Sequence, residues 1–126
     1  MKKESIKTRS SETWIEDNIM MIRMWGKIDK EEVERITEAG IKITKNLQRR
    51  GIIVDISEIE KVSLEARRFV NESPEIAKHV RKKVALVYKN PMARIIGSFF
   101  LKLNKPSIEV ELFPTVEKAK KWTEEK

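Results

Sequence analysis

Three hydrophobic periods alternate along the chain, and each change of period predicts a change of element. Thr13 to Glu16 and Ile19 to Trp25 read as two strands joined at Asp17-Asn18, a pair suited to a two-residue hairpin turn, with Gly26 ending the second. Residues 1–10 are polar and basic and are expected to form a flexible, frayed end. From Lys30 the spacing becomes helical. Val33, Ile36, Gly40, Ile43 and Leu47 recur three and four apart, while Glu31, Glu34, Glu38, Lys42, Lys45 and Arg49 take the other faces. Asp29 is the natural N-cap and Gly51 the stop. The run GIIVDI that follows is continuously apolar up to Asp55, as in a strand buried on both faces of a parallel sheet. A β-α-β unit is therefore the central inference.

Beyond Asp55 a loop is expected, then a helix capped by Ser63 and restarted at Ser73-Pro74, since serine caps well and proline is accepted at the first helical position. Val84 to Tyr88 reads as another apolar strand, and Asn90-Pro91 opens a helix through Leu103. Ile108, Val110 and Leu112 alternate with Glu109 and Glu111, the pattern of a strand with one solvated face. Thr115 caps a last helix whose Val116, Ala119 and Trp122 dock on the core. The order β-β-α-β-α-β-α-β-α, without internal repeat or long linker, predicts one α/β domain over residues 11–126.

Composition removes much chemistry. The 126 residues contain one histidine and no cysteine, so disulfides, thiolate metal sites and cysteine nucleophiles are excluded. No histidine-based zinc triad is available, and a Ser/His/Asp arrangement would rest on His79 alone, which stands among Lys78, Arg81 and Lys82. Gly26, Gly40, Gly51 and Gly97 make no phosphate loop. Asp55 near Ser57 occupies a strand end where α/β sites often form, but an aspartate there also caps the next turn. The expectation is a non-enzymatic protein with no catalytic residue, no cofactor and no metal.

No stretch approaches the roughly 20 apolar residues of a membrane span, and MKKESIKTRS lacks a signal-type apolar core, so a cytoplasmic protein without a transmembrane segment is expected. Charge is concentrated in one place. Between Ile76 and Ser107 stand Lys78, Arg81, Lys82, Lys83, Lys89, Arg94, Lys102 and Lys105 with no acidic residue, and the remaining 19 basic residues face 20 acidic ones. The whole excess of +7 belongs to this segment. Such a field attracts anions, or it simply solvates a surface. Nucleic acid is disfavoured as a partner, because Tyr88, Phe99 and Phe100 lie within apolar runs rather than on a displayed stacking platform.

Trp14, the Gly26-Lys27-Ile28 step, VDIS at Val54 to Ser57 and the VALVY strand together resemble the STAS superfamily, which includes sulfate-transporter C-terminal domains and anti-sigma-factor antagonists. ARIIGSFFLKLNKP, then a strand, Phe113 and the EKAKKW helix, resembles more specifically the small SpoIIAA-like bacterial proteins related to CRAL-TRIO lipid carriers. The similarity spans roughly residues 13–123. It implies a five-stranded, mixed and largely parallel sheet with helices packed on it, and a strand-to-helix corner as the regulatory surface. In the antagonists that corner carries a phosphorylatable serine in a D-S-S-G-like motif after a D-L-S-like strand end. Here Asp55-Ile56-Ser57 matches the strand end, Glu60-Lys61-Val62-Ser63 replaces the motif without a glycine, and Ser63 is the nearest equivalent. A phosphate on Ser63 would meet a helix N-terminus with Arg67 and Arg68 one turn on; without one, Ser63 is a helix cap and the arginines are surface residues.

Two candidate surfaces result: the corner of Asp55, Ser57, Ser63 and Arg67, and the helix from Pro91 to Leu103. In that helix Met92, Ile95, Ile96, Phe99, Phe100, Leu101 and Leu103 exceed one core-facing stripe, while Arg94, Ser98 and Lys102 form an i, i+4 row. This suits a partner-binding helix and equally a helix buried between sheet and neighbour. The favoured reading is a regulatory or protein-interaction module with a protein partner, a homodimer being one form. The alternative is a carrier or sensor of a small apolar or anionic ligand such as a lipid. A carrier should enclose a sizeable apolar cavity beneath the Pro91 to Leu103 helix, whereas a module should be filled there and show its surplus apolar residues outside.

Overall fold

Parallel neighbours need helical crossovers, and the chain supplies one between each pair of its later strands. The computed structural model describes residues 4–44, 51–74, 76, 83–100 and 108–125. Among these the order is β1 (Ser5–Thr8), β2 (Ser11–Glu16), β3 (Ile19–Ile28), α1 (Lys30–Ile43), β4 (Gly51–Val62), α2 (Leu64–Glu72), β5 (Lys83–Val87), α3 (Pro91–Ser98), β6 (Glu109–Phe113) and α4 (Val116–Glu124). The six strands form one sheet in sequence order, antiparallel across β1-β2-β3 and parallel across β3-β4-β5-β6.

Alternation along the strands makes two cores. Met20, Ile22, Ile52, Val84, Leu86 and Val110 face α1, α2 and α3, while Ile19, Met21, Ile53, Ala85 and Val87 face α4. There Phe113 and Trp122 pack with ring centroids 5.3 Å apart. The hairpin turn is as expected: Asp17 and Asn18 take φ of 53° and 65°, the left-handed pair that a two-residue turn between twisted strands demands. Asp29, Ser63, Asn90 and Thr115 each cap a helix, their side chains accepting from Glu32, Ala66, Ala93 and Lys118 N–H groups.

Several boundaries differ from the sequence reading: α1 ends at Ile43 with Thr44 as its C-cap, well before Gly51, and α3 ends at Ser98 with Phe99 as its C-cap instead of running through Leu103. Residues expected to fray contribute β1, making six strands instead of five. Its Ser5–Thr8 pair with Ser11–Trp14, and a buried acid holds the turn between them. That acid is Glu32, fully buried on α1, whose Oε2 accepts from Thr8 Oγ1 (2.7 Å), Ser10 N–H (2.6 Å) and Ser10 Oγ (2.5 Å). Gly26 does not end β3. At φ +70° it sits among register shifts that carry β3 on to Ile28. Gly51 does not stop a helix but opens β4, where a Cβ would lie 2.9 Å from the Lys83 carbonyl oxygen and 3.2 Å from Thr123 Cγ2. Finally, the loop expected after Asp55 is strand, since the same register shifts let β4 stay paired with β3 up to Val62.

Candidate interaction surface

The length of β4 pulls the expected corner apart. Asp55 and Ser63 are eight residues apart along an extended chain, up to roughly 26 Å at ~3.3 Å per residue. Asp55, mid-strand, accepts from the Ser57 N–H (3.0 Å) and lies 3.9 Å from Lys89 Nζ. The Ser57 carbonyl accepts from Asn90 Nδ2 (2.9 Å), which ties the start of α3 to β4, and the Ser57 hydroxyl is buried without a hydrogen-bond partner. Ser63 is half-buried. Its N–H donates to the Ile28 carbonyl, and its Oγ accepts from Ala66 N–H at 3.0 Å. Arg67 stacks on Phe99, with Cζ 4.6 Å from the ring centroid.

Helix α3 is both packed and displayed. Ala93, Ile96 and Gly97 face inward. A Cβ on Gly97 would lie 2.5 Å from Leu112 Cδ2 and 3.0 Å from Ile56 Cδ1, so the helix backbone touches the sheet's side chains directly. On the opposite side Met92 is 59% exposed, Ile95 56% and Phe99 41%, spaced three and four apart. Leu64, the first residue of α2, is 54% exposed and stands one turn before Arg67, the residue that reaches Phe99. Arg94 is exposed beside the Tyr88 ring, and the Ser98 hydroxyl donates to the Ile95 carbonyl at 2.6 Å. Phe100 is half-buried and turns toward the core. Lys102 lies outside the described residues, as do His79, Lys78, Arg81, Lys82 and Lys105. Met92, Ile95 and Leu64 were not singled out as site residues from the sequence, although the i, i+3, i+7 spacing of 92, 95 and 99 was the signal.

The basic segment is partly committed inward. Lys83 Nζ donates to the Trp122 and Glu125 carbonyls, both at 2.8 Å, closing the C-terminal end of α4, where a cation is favoured. Among the described residues no group of three or more His, Asp or Glu side chains is arranged to hold a metal ion, and no helix is long and apolar enough to cross a membrane. A cavity of about 190 Å³ does exist; no residue of α3 lines it, but Phe100 of the expected Pro91 to Leu103 helix does. Its walls come from the sheet, α1 and the end of α2, with Phe100 reaching it from the α3 side.

Residues 13–126 match the family model described as Domain of unknown function (DUF7793). A comparison with curated proteins gives no match. Among solved structures, an uncharacterized DUF3478-family protein with a SpoIIAA-like fold from Shewanella loihica PV-4 superposes with a TM-score of 0.61 at 15% identity, covering 97% of this chain and 92% of that one. An anti-sigma factor antagonist from Mycobacterium paratuberculosis gives 0.63 at 16% identity, covering 92% and 94%. The anti-sigma factor antagonist SpoIIAA in its unphosphorylated form gives 0.57 at 17%, covering 90% and 96%. These likenesses establish the SpoIIAA-like, STAS-type fold that the sequence resemblance implied.

Proposed function

The chain belongs to the DUF7793 family of domains of unknown function, and we propose that it is a non-enzymatic, STAS-like regulatory module that binds a protein partner through α2 and α3. The observation that carries this is the exposed apolar row of Met92, Ile95 and Phe99 beside Leu64. Three large apolar side chains on the outside of one short helix, with a fourth on the neighbouring helix, form the kind of patch that marks an interaction surface. Ala93, Ile96 and Gly97 already seat the helix on the sheet, and Met92 and Ile95 stay more than half exposed. Two of the structural neighbours are described as anti-sigma factor antagonists, which supports a regulatory protein-binding role for this fold here too.

In this reading Ser63 and Asn90 define the helix ends from which the surface is built, Arg67 holds Phe99 in its displayed position, and Arg94 and Ser98 rim the apolar row. Asp55 and Ser57 position α3 through Lys89 and Asn90. The test is site-specific photo-crosslinking in the source cell, with a benzophenone side chain at Ile95 and, as control, at Lys118 on α4. A discrete protein adduct at 95 that is absent at 118 and lost when Met92→Glu is added is the expected result. No adduct at 95, or equal adducts at both positions, overturns the proposal. An adduct of twice the chain's own mass identifies the partner as a second copy.

A further inference from the structure

The cavity noted above is walled by apolar groups from both layers. Ile22, Ile52 and Leu86 rise from the sheet, Ile36 and Gly40 come from α1, and Val70 comes from α2. No charged side chain is among its described lining residues. The space is partly open to its surroundings, and its volume of about 190 Å³ exceeds the roughly 150 Å³ in which an enclosed apolar cavity holds benzene, leaving room for about eight non-hydrogen atoms. An unfilled space of this size deprives its walls of dispersion contacts, so an apolar occupant gains what the walls lack.

Among the described lining residues four have polar side chains, and three of these are already satisfied. Thr37 Oγ1 donates to the Val33 carbonyl, Thr44 Oγ1 to the Gly40 carbonyl, and Ser73 Oγ accepts from Ile76 N–H. The fourth is Asn71, at the end of α2, whose Oδ1 is buried with no hydrogen-bond partner. A buried amide oxygen left this way is costly unless something else donates to it. We infer that this cavity is a binding site for a small uncharged apolar molecule carrying one hydroxyl-type donor, its body among Ile22, Ile36 and Ile52 and its hydroxyl on Asn71 Oδ1. The described lining residues offer no charge to compensate a bound ion, which favours an uncharged occupant. The site is separate from the α3 surface, so it stands or falls independently of the proposed partner binding.

The experiment is a titration of isoleucine-methyl-labelled protein followed by NMR, using cyclohexanol and methylcyclohexane, which have equal numbers of heavy atoms. Saturable shifts of the Ile22, Ile36, Ile52 and Ile59 methyls are expected with both probes, while Ile19 and Ile53 on the other sheet face and Ile95 on the surface stay fixed. Asn71→Leu should weaken cyclohexanol about five- to tenfold, the loss of one net hydrogen bond, without weakening methylcyclohexane. Val70→Phe, which fills the space, should abolish binding of both in a protein that remains folded by its methyl spectrum. The inference is overturned if neither probe shifts the lining methyls up to its solubility limit, or if Ile19 and Ile95 shift in parallel with them. The hydroxyl-recognition part is overturned if folded Asn71→Leu keeps the wild-type ratio of the two affinities.

Discussion

Glu32 is the residue whose replacement most directly tests how the N-terminal strands are held. Its carboxylate is fully buried, and one oxygen accepts three hydrogen bonds from the β1–β2 turn while the other lies 3.5 Å from Arg35 Nη1. Glu32→Ala leaves the Ser10 N–H and two hydroxyls without their acceptor inside the protein. Each hydrogen bond to a charged group contributes about 1.5–3 kcal/mol, and because the three share one oxygen their losses do not add. The expected cost is about 3–5 kcal/mol, a large share of the ~5–15 kcal/mol that stabilises a domain. Glu32→Gln keeps an oxygen for the N–H but sets an amide donor beside hydroxyl donors, and should cost about 1.5–3 kcal/mol. Urea unfolding reads both. With a slope of about 1.5 kcal/mol per molar, the alanine variant should unfold some 2–3 M earlier. The same carboxyl has a pH signature. Burial pushes its pKa up, but bonds from Ser10, Thr8 and Arg35 more than reverse this and hold it below its ordinary value of 4.5. A lowered folded-state value means the stabilisation is complete above the unfolded pKa and is lost as pH falls through the folded one. The gap between wild type and Glu32→Gln should therefore be constant from pH 7 to about 5 and shrink below about pH 4.3. An alanine variant within about 0.5 kcal/mol of wild type, or a glutamine gap unchanged at pH 3, would refute the account.

Gly97→Ala places a methyl 2.5 Å from Leu112 Cδ2 and should destabilise by about 1–3 kcal/mol in the same urea assay; adding Leu112→Val should recover part of it, and simple additivity of the two changes would argue against this contact. Gly26→Ala meets no crowding, only a Glu60 oxygen 3.9 Å away, so its expected cost of about 1–2 kcal/mol is that of forcing φ +70° on a residue with a side chain, and an unchanged midpoint would count against it. Lys120 hydrogen-bonds Glu16 and Asp17 across the hairpin turn, and the Glu16 bond first, then the Asp17 bond, hold its ammonium above its ordinary 10.5 against partial burial. Lys120→Met should cost about 1 kcal/mol at pH 7, the upper end for a solvent-accessible pair, because Lys120 and Glu16 are partly buried while Asp17 is exposed. A raised folded value means the contribution is present below the unfolded pKa and lost as pH rises through the folded one, so the difference from wild type should close above about pH 10.4 and not before.

What the sequence carried locally was legible. Asp17-Asn18, Asp29, Ser63, Asn90 and Thr115 act as the turn and caps expected of them, because turn and cap chemistry depends on a few adjacent atoms. The alternation of Val110 and Leu112 with Glu109 and Glu111 likewise marked a strand with a solvated face, and Glu109 and Glu111 are exposed. What was missed depends on distant partners. β1 is polar and has no strand signal of its own; it is organised by Glu32, 24 residues from Thr8 along the chain. Gly51 read as a helix stop because a glycine after a helical pattern usually is one, yet here it is required by the approach of the Lys83 carbonyl from the neighbouring strand. The candidate site divides in the same way. Surplus apolar residues in 91–103 were visible, but which of them face outward is set by the sheet beneath.

β4 shows how one such long-range effect disperses an expected corner. A strand ending at Asp55 would bring Asp55, Ser57, Ser63 and Arg67 to a single corner, as the resemblance implied. The register shifts at Arg23/Trp25 and Gly26/Lys27 instead keep β4 paired through Val62, so the four residues serve at two places. Asp55 and Ser57 meet Lys89 and Asn90, at the start of α3, while Ser63 begins the helix whose Arg67 meets Phe99 at the other end of α3. Both ends of α3 are thus braced from β4 and α2, and Gly97 presses its middle against Ile56 and Leu112. A helix of only eight residues would not hold its shape alone. Fixed at three points, it can leave Met92, Ile95 and Phe99 outward without collapsing them into the core, and the residues of the dispersed corner hold the two ends of the helix that carries this exposed row.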